Sequence, residues 1–436
     1  MPIYYKIICS LTISLLACGA AARDWPDWRG PGYNGSSDET GLPEKWSQTE
    51  NVKWAGNTPG PGSGTPVVSR GKVFITAVDM KNKSLLGMCF RQSDGKLLWS
   101  NNIGKAFRNI PRGNMAAPSA AVDGGRVFFI FDSGDLAAFD YEGKPLWKRN
   151  IEEEYGNISL NFGYSSTPLI YEAKMFVCVL RRPEPWREPK DRTELDSFLM
   201  ALDPATGRNI WKTNRPTNAV NESFDSYSSP LPFEYNGRKE ILLMGADFIT
   251  SNDPKTGKEL WRYEYSPNKN PRNRNIAGLV ASKELIYLPR PRGEDLLAIK
   301  PGGSGTLDES CIAWKYEGPC PDCSTPLLYD GCLYVLDGMR KKALSCLDAE
   351  TGKLKWQGTL SGPPIYSSLT AADGKLYCIN EEGKVFVIRA GGEQLEIISE
   401  IQMNGKPANA SIAIADSCLF IRTSDKLYCI SESNRQ

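Results

Sequence analysis

The chain has 436 residues, and its 52 lysines and arginines almost balance its 51 aspartates and glutamates, for a formal net charge of +1. A nucleic-acid-binding protein usually carries a clear basic excess, so the charge balance argues against that class. The sequence contains no histidine, which excludes serine–histidine and cysteine–histidine catalytic couples, histidine metal sites and a CxxCH haem attachment.

The N-terminus predicts an export signal. Lys6 is the only charge before an apolar run of 11 residues, Ile7 to Ala17, which is too short to span a bilayer. Two processing sites compete: the triple alanine at 20–22 would end a signal peptide of residues 1–22, whereas Leu15 to Cys18 resembles a bacterial lipobox, in which residues 1–17 are removed and Cys18 carries a lipid anchor. Both alternatives predict an exported protein, in the periplasm or at the outer membrane of a bacterium, without a transmembrane helix in the mature chain.

A nine-residue motif recurs along the rest of the chain. It reads DPATGRNIW up to Trp211, DPKTGKELW up to Trp261 and DAETGKLKW up to Trp356, and more degenerate copies end at Trp99, Trp147 and Trp314. These tryptophans recur every 42 to 64 residues, a period that indicates a repeat architecture.

The segments between the tryptophans are strand-like. Each unit begins with small residues, often followed by proline, and continues with a turn and short β-branched or aromatic runs such as KVFITAV, RVFFIF and CLYVLD. No mature segment shows a sustained period of 3.6 residues, so the pattern predicts an all-β protein with four antiparallel strands per unit. This is the make-up of a propeller blade, in which the outermost tryptophan packs against the next blade and its indole N–H binds a carbonyl.

The count of units predicts an eight-bladed β-propeller, residues 51–433, after a leader segment, residues 23–50. Six units end on tryptophan, a seventh lacks it, and an eighth, residues 409–433, stops before its fourth strand. NVKWAGN, with Trp54, precedes the first unit and is available as the missing strand, which would close the ring and leave no exposed sheet edge. Seven blades is the alternative count.

Over residues 24–433 these units resemble the tryptophan-docking repeat of the pyrroloquinoline quinone (PQQ) propellers. That family includes quinoprotein alcohol dehydrogenases and an outer-membrane assembly lipoprotein whose propeller binds no quinone. The leader DWPDWRGPGYNGSS is similar to that of exported bacterial members without an assigned enzyme activity. For the dehydrogenases, the resemblance implies a calcium ion, an aspartate base, a tryptophan under the quinone and a disulfide between adjacent cysteines. This sequence has no adjacent cysteines and no calcium ligand set that can be matched to it, so we expect no metal and no cofactor, with PQQ and calcium as the alternative.

One face of the propeller should carry the loops that lead into each blade and the loops between second and third strands. This surface is named the upper face, and we expect a protein or polysaccharide partner to bind there. The candidate binding residues are Arg112, Asn114, Asp225, Tyr227, Lys269, Arg272, Arg274, Arg290 and Arg292. The last five belong to one blade and predict a cationic patch for an anionic partner, with a balanced, solvated surface as the alternative.

Two further loops on this face contain candidate functional features. The insertion at residues 181–196, around Trp186, predicts either a partner-binding arm or an ordinary surface loop. Cys320-Pro-Asp-Cys323 predicts a structural disulfide in an exported protein, within the motif or with Cys311, and a redox pair is the alternative. The cysteines in strands are expected to be small core residues.

The sequence therefore predicts an exported binding or scaffold module that performs no covalent chemistry. The main alternative is a PQQ-dependent oxidoreductase of the alcohol or sugar dehydrogenase type. A further alternative is a hydrolase that uses carboxylates alone, if Asp225, Asp247 and Asp337 converge near the axis.

Overall fold

The fold is known from a computed structural model, which describes residues 24–158, 160–186 and 194–432. Eight antiparallel sheets follow one another along the chain, and the inner strands of successive sheets contact each other around a common axis. The eight-bladed, all-β prediction is thus confirmed. The expected signal peptide and Cys18 lie outside the described residues. No helix in the described part of the chain is long and apolar enough to cross a membrane.

The first half of the ring contains blades 1 to 4. Their strands, from the inside outwards, are β2 (Val67–Ser69), β3 (Lys72–Asp79), β4 (Ser84–Arg91) and β5 (Leu97–Lys105); β6 (Ala121–Val122), β7 (Arg126–Ile130), β8 (Asp135–Asp140) and β9 (Pro145–Asn150); β10 (Leu169–Tyr171), β11 (Lys174–Val179), β12 (Phe198–Leu202) and β13 (Asn209–Asn214); and β14 (Leu231–Tyr235), β15 (Arg238–Gly245), β16 (Phe248–Asn252) and β17 (Glu259–Glu264). A short helix, α1 (Ile151–Tyr155), follows blade 2, and a 3-10 turn (Asn221–Phe224) precedes blade 4.

The second half contains blades 5 to 8. Their strands are β18 (Val280–Ala281), β19 (Ile286–Pro289), β20 (Leu296–Ile299) and β22 (Ile312–Tyr316); β23 (Leu327–Tyr329), β24 (Cys332–Asp337), β25 (Ala343–Asp348) and β26 (Leu354–Thr359); β27 (Thr370–Ala372), β28 (Lys375–Ile379), β29 (Lys384–Arg389) and β30 (Ile397–Gln402); and β31 (Ala413–Ala415), β32 (Cys418–Arg422), β33 (Lys426–Ile430) and β1 (Val52–Asn57). Blade 5 also has 3-10 turns at Pro291–Gly293 and Glu309–Cys311, and β21 (Gly305–Leu307) adds a parallel fifth strand to blade 4.

The register explains why each motif tryptophan needs a small partner. On the third strand, the residue opposite the tryptophan is cysteine, alanine or serine in every blade that has one; the pairs are Cys89–Trp99, Ala138–Trp147, Ala201–Trp211, Ser251–Trp261, Ala298–Trp314, Cys346–Trp356 and Cys429–Trp54. A register shift follows at the same place in each of these pairings. Such a bulge increases the local twist and re-aims the side chain, here towards the neighbouring blade.

The tryptophans join successive blades through the outer turn of the next blade. Five indole N–H groups donate to main-chain carbonyls in that turn at 2.7 to 3.0 Å; the pairs are Trp54–Gln92, Trp99–Tyr141, Trp147–Pro204, Trp314–Glu350 and Trp356–Gly391. The glycine of the turn lies against the indole face, and a Cβ on Gly95, Gly143, Gly207 or Gly352 would be within 2.5 to 2.7 Å of the ring. The motif glycine is therefore required for contact as well as for its positive φ.

Two tryptophans do not follow the expected pattern of a carbonyl on the next blade. Trp261 donates instead to the carboxylate of Glu240 in its own blade, at 2.9 Å, because blade 5 has a longer loop where the other blades have the short glycine turn. The indole N–H of Trp211 is buried without an acceptor. Its ring nevertheless covers Gly257 of blade 4.

The ring closes through the beginning of the chain. Strand β1 pairs antiparallel with β33, with Trp54 opposite Cys429 and Gly56 opposite Leu427. The indole of Trp54 then bonds to the turn of blade 1. Blade 8 is thus made from both ends of the described chain, as predicted.

The leader crosses the centre of the ring before it reaches the rim. Trp25 pairs with Val68 of blade 1, and the Arg29 guanidinium donates at 2.9 Å to the carbonyls of Pro326 and Leu369, which lead into blades 6 and 7. Farther along, the Glu39 carboxylate accepts from main-chain N–H groups of blade 8. The leader therefore fills the central channel beneath the upper face and links at least four blades to one another.

Candidate functional site

A pocket of about 250 Å³ opens on the axis of the upper face. All eight blades contribute to its wall through the loops that lead into their inner strands, and the leader supplies its floor. The pocket is a consequence of the fold, since eight inner strands leave a channel that the leader closes from one side only.

A belt of small residues surrounds the pocket. Each blade supplies the residue two positions before its inner strand, and the eight are Thr65, Ser119, Thr167, Ser229, Gly278, Thr325, Ser368 and Ser411. Five main-chain N–H groups donate to the hydroxyl of the following blade at 2.8 to 3.0 Å; the acceptors are Thr167, Ser229, Thr325, Ser368 and Ser411. The small residues that open each repeat therefore tie the inner strands together, and all of them except Gly278 also line the pocket.

Aromatic side chains form much of the remaining surface. Trp28 of the leader lies at the floor, and Phe162, Tyr227 and Tyr366 belong to the loops of blades 3, 4 and 7. The Tyr227 hydroxyl accepts the N–H of Phe162 at 3.2 Å, and burial raises the pKa of Tyr227 far above its ordinary value. This phenol therefore stays neutral.

Two arginines line the pocket, and their surroundings differ. Arg274 is buried, lies 4.9 Å from the Phe162 ring, and forms ion pairs with Glu222 and Asp322 at 3.3 and 3.4 Å. Arg112 is exposed, with a positive φ of 56° in its loop, and within the described residues its guanidinium has neither an ion pair nor a hydrogen bond. Arg112 is thus the uncompensated positive charge of the pocket.

Three of the nine predicted binding residues line the pocket, namely Arg112, Tyr227 and Arg274. Asn114 lies beside it, where its amide donates to Ser63 and accepts from Ala116 and so shapes the loop. Any role of the nine in partner binding stays a prediction.

The expected cationic patch is not formed as such. Four of its five members are paired with carboxylates: Lys269 with Glu264, Arg274 with Glu222 and Asp322, Arg290 with Glu294 and Asp295, and Arg292 with Glu222. Arg272 is exposed and unpaired within the described chain, but it does not line the pocket. The cations are easily recognised in the sequence, but their pairing is not, because the carboxylates come from several loops.

Asp225 is not exposed to a partner either. Its carboxylate accepts the indole N–H of Trp186 at 2.6 Å, and Arg182 stacks on that indole, 3.6 Å from the ring centroid. Burial raises the pKa of Asp225 to about 7, although the bond from Trp186 opposes this shift. The described part of the insertion is therefore anchored beside the pocket by Trp186.

The three aspartates of the hydrolase alternative do not converge at the pocket. Asp337 caps the turn at Arg340 and Lys341, Asp225 binds Trp186, and Asp247 lies near Tyr265. None of the three is among the lining residues.

The predicted disulfide is not formed in this structure. Cys320, Cys323 and Cys311 are all free thiols; Cys320 faces the carbonyl of Tyr316, and Cys323 faces the sulfur of Met339 at 3.3 Å. Burial raises the pKa of Cys323 to about 12, so the thiol that lines the pocket is protonated at neutral pH and is a poor nucleophile.

The pocket does not fit a calcium-bound quinone. Calcium takes six to eight oxygen ligands, largely from carboxylates and carbonyls, but no aspartate or glutamate lines the pocket in the described chain. Across residues 24–158, 160–186 and 194–432, no three Cys, Asp or Glu side chains are grouped so that they could hold a metal ion. The wall instead offers hydroxyls and arginine, which suit an anion without a metal.

Comparison with known proteins shows which family the chain belongs to. The family described as outer membrane protein assembly factor BamB matches residues 44–183, 195–318 and 323–395, well over half of the sequence. The chain belongs to this family of PQQ-like propellers. A polyvinylalcohol dehydrogenase from a Pseudomonas species is 23% identical over 339 residues, which cover 71% of this chain and 47% of the dehydrogenase. The chain thus spans about half the length of that relative.

Solved structures with the same fold superpose over most of the chain. Quinohemoprotein alcohol dehydrogenase from Comamonas testosteroni gives a TM-score of 0.68 at 12% identity, over 95% of this chain and 81% of the dehydrogenase. BamB from Moraxella catarrhalis gives 0.57 at 13% identity, over 88% of this chain and 97% of BamB. At such identities the likeness shows the fold.

Several pocket residues were not predicted from the sequence. The belt could have been found by aligning the blade openings, because a hydroxyl residue precedes the inner strand by two positions in seven blades and glycine does so in blade 5. Trp28 had no such signal, since the path of the leader through the channel depends on tertiary contacts.

Proposed function

We propose that the protein is a binding module whose upper face holds a protein or polysaccharide partner by an anionic group, without covalent chemistry. The observation that supports this is the axial pocket, where Arg112 lies uncompensated above a belt of hydroxyls and no described lining residue is acidic. Such a surface attracts and orients an anion but offers no carboxylate to act as a general base. We also propose, from the N-terminal sequence, that the protein is exported and acts in the periplasm or at the outer membrane.

An oxidoreductase that uses PQQ is the second candidate, because the matched Pseudomonas protein is a dehydrogenase. The two candidates differ in what the pocket should bind. Adding PQQ and calcium to the purified protein should change neither its melting temperature nor its visible spectrum if it is a binding module. A clear thermal shift together with alcohol-dependent dye reduction would refute the binding-module proposal.

The partner itself can be sought with matched variants. Immobilised wild-type protein, Arg112→Glu and Arg208→Glu would be exposed to extracts of the native cell envelope. Arg208 is the control, since it is exposed, has no ion pair in the described chain and lies in the outer turn of blade 3, outside the pocket lining. We expect the bound material to be lost only with Arg112→Glu. Equal retention on all three columns would mean that the pocket is not the binding site.

A further inference from the structure

The pocket contains several hydrogen-bond donors that lack an acceptor in the described chain. Five hydroxyls of the belt each accept a main-chain N–H, and no acceptor for their own O–H groups is found in the described chain. A hydroxyl that accepts one bond can still donate another. The Trp28 indole N–H is also without a partner among the described residues, and Arg112 adds a guanidinium. A ligand of this pocket must therefore be rich in acceptor oxygens.

One acceptor of the pocket is buried without a partner. This is the side-chain oxygen of Asn409, which lines the cavity. Leaving such an atom unpaired costs roughly 1–3 kcal/mol, so a ligand that donates one hydrogen bond here would satisfy it. Inorganic sulfate, which carries no proton at neutral pH, cannot do so.

The apolar part of the surface is aromatic. Trp28, Phe162, Tyr227 and Tyr366 lie around the cavity, and Arg112 is close enough to Tyr366 to lower the pKa of its phenol against the dominant, raising effect of burial. Aromatic rings pack well against the C–H faces of a compact ring-shaped ligand. The volume of about 250 Å³ is slightly below the ~300–1,000 Å³ of pockets for drug-sized ligands, so about one ring fits.

We infer that the axial pocket binds one unit of an acidic saccharide, a pyranose with a carboxylate, with the carboxylate on Arg112 and the sugar hydroxyls on the belt and Asn409. This inference rests on the proposed binding function and specifies its ligand. A sugar hydroxyl can donate and accept, which matches belt hydroxyls that can do both and the unpaired oxygen of Asn409. The main chain of a peptide C-terminus offers the same charge but no ring to pack against the aromatic side chains.

The test is calorimetric titration of the full-length protein with digalacturonic, diglucuronic and dimannuronic acid. The dimethyl ester of each disaccharide is the control, because it keeps the ring and removes the charge. We expect at least one acid to bind, and its ester to bind at least about 10-fold more weakly. Arg112→Ala should weaken binding of the acid by about 10- to 100-fold, as expected for a hydrogen bond to a charged group. Arg208→Ala, at an exposed arginine in the outer turn of blade 3 that does not line the pocket, should leave it unchanged.

Substitutions of Trp28 test the role of the pocket floor. Trp28→Phe keeps an aromatic ring and removes the N–H, so we expect binding to weaken by only about 2- to 10-fold, whereas Trp28→Ala should weaken it further. Circular dichroism and the melting temperature report whether each variant is folded. If Trp28→Ala does not fold, the Arg112 series still decides the matter.

Four results would overturn the inference. They are no binding of any of the three acids, equal binding of an acid and its ester, displacement of the acid by an equal concentration of inorganic sulfate, or binding of an acetylated tripeptide acid in place of the saccharides. The last result would leave the proposed binding function intact and change its ligand class to a protein terminus. Loss of the function itself would appear separately, as equal capture by wild-type and Arg112→Glu columns.

Discussion

Closure of the ring depends on a contact that one methyl group should disturb. Gly95 lies in the outer turn of blade 1 with a φ of 71°, and a Cβ there would come within 2.5 Å of the Trp54 indole. Gly71, in the inner turn of the same blade, has a φ of 74° and no atom within 4 Å of an added Cβ. Gly95→Ala and Gly71→Ala therefore share the backbone strain and differ in the contact with Trp54.

The expected losses of stability follow from the backbone strain and from the contact with Trp54. A positive φ costs an alanine roughly 1–2 kcal/mol, and overpacking adds roughly 1–3 kcal/mol. We expect Gly71→Ala to lower the free energy of unfolding by about 1–2 kcal/mol and Gly95→Ala by about 2–5 kcal/mol. Urea denaturation followed by circular dichroism measures both.

A double-mutant cycle isolates the contact. Trp54→Ala alone should cost roughly 3–5 kcal/mol, as for other buried aromatic truncations. In that background the ring is gone, so Gly95→Ala should cost no more than Gly71→Ala does. The reasoning is refuted if Gly95→Ala and Gly71→Ala are equally destabilising in the wild type, or if the cost of Gly95→Ala is the same with and without Trp54.

Substitutions at three further residues examine buried polar groups. Thr325→Val leaves the amide of Gly278 without its acceptor, so we expect a loss of roughly 1–3 kcal/mol in urea denaturation and faster amide exchange at Gly278; unchanged exchange would contradict the role of the belt. Glu240→Ala removes the buried acceptor of the Trp261 indole and should lower the melting temperature more than Glu240→Gln, which keeps an acceptor oxygen; equal losses would show that this bond is unimportant. Since the folded pKa of Asp225 is about 7 against an ordinary 3.8, the native state holds a proton that the unfolded chain releases between these values, so wild-type stability should fall relative to Asp225→Asn as pH rises from about 4 to about 7. Melting temperatures of both proteins across that range measure the effect, and a difference independent of pH would argue against it.

The blade count was predictable because most repeats contain residues that the fold requires at fixed positions of the blade. A glycine with positive φ beneath an indole, and a small residue opposite it, leave a signature of fixed spacing in the sequence. The strand with Trp54 could be assigned to blade 8 because the start of the repeat region has one strand too many and the last unit lacks one. The partner of Trp261 could not be predicted, since the loop of blade 5 had no recognisable glycine turn and the substitute acceptor, Glu240, lies two strands away.

The site was harder to predict because charge compensation is a tertiary property. Lys269, Arg290 and Arg292 are close in sequence and suggested a patch, yet their carboxylates come from the same and neighbouring loops and pair with them individually. Arg112 is one of two arginines in its loop, and the other, Arg108, forms ion pairs with Asp132 and Glu152. Nothing in the sequence distinguishes the free arginine from the paired one.

Recognition at the proposed site would depend on departures of single blades from the repeat. Eight equivalent blades supply an almost regular belt of hydroxyls, and a regular belt by itself would hold an anion in any orientation. The exception in the belt is Gly278, where an added Cβ would come within 3.2 Å of Thr325 and 3.8 Å of the Trp28 indole. The one belt position without a side chain is thus next to the floor of the pocket, and Arg112 and Asn409 are likewise supplied by single blades. These features break the eightfold equivalence and would define one orientation for the proposed ring-shaped ligand. Substitutions at them should therefore change ligand preference, whereas substitutions of the repeated residues should change stability.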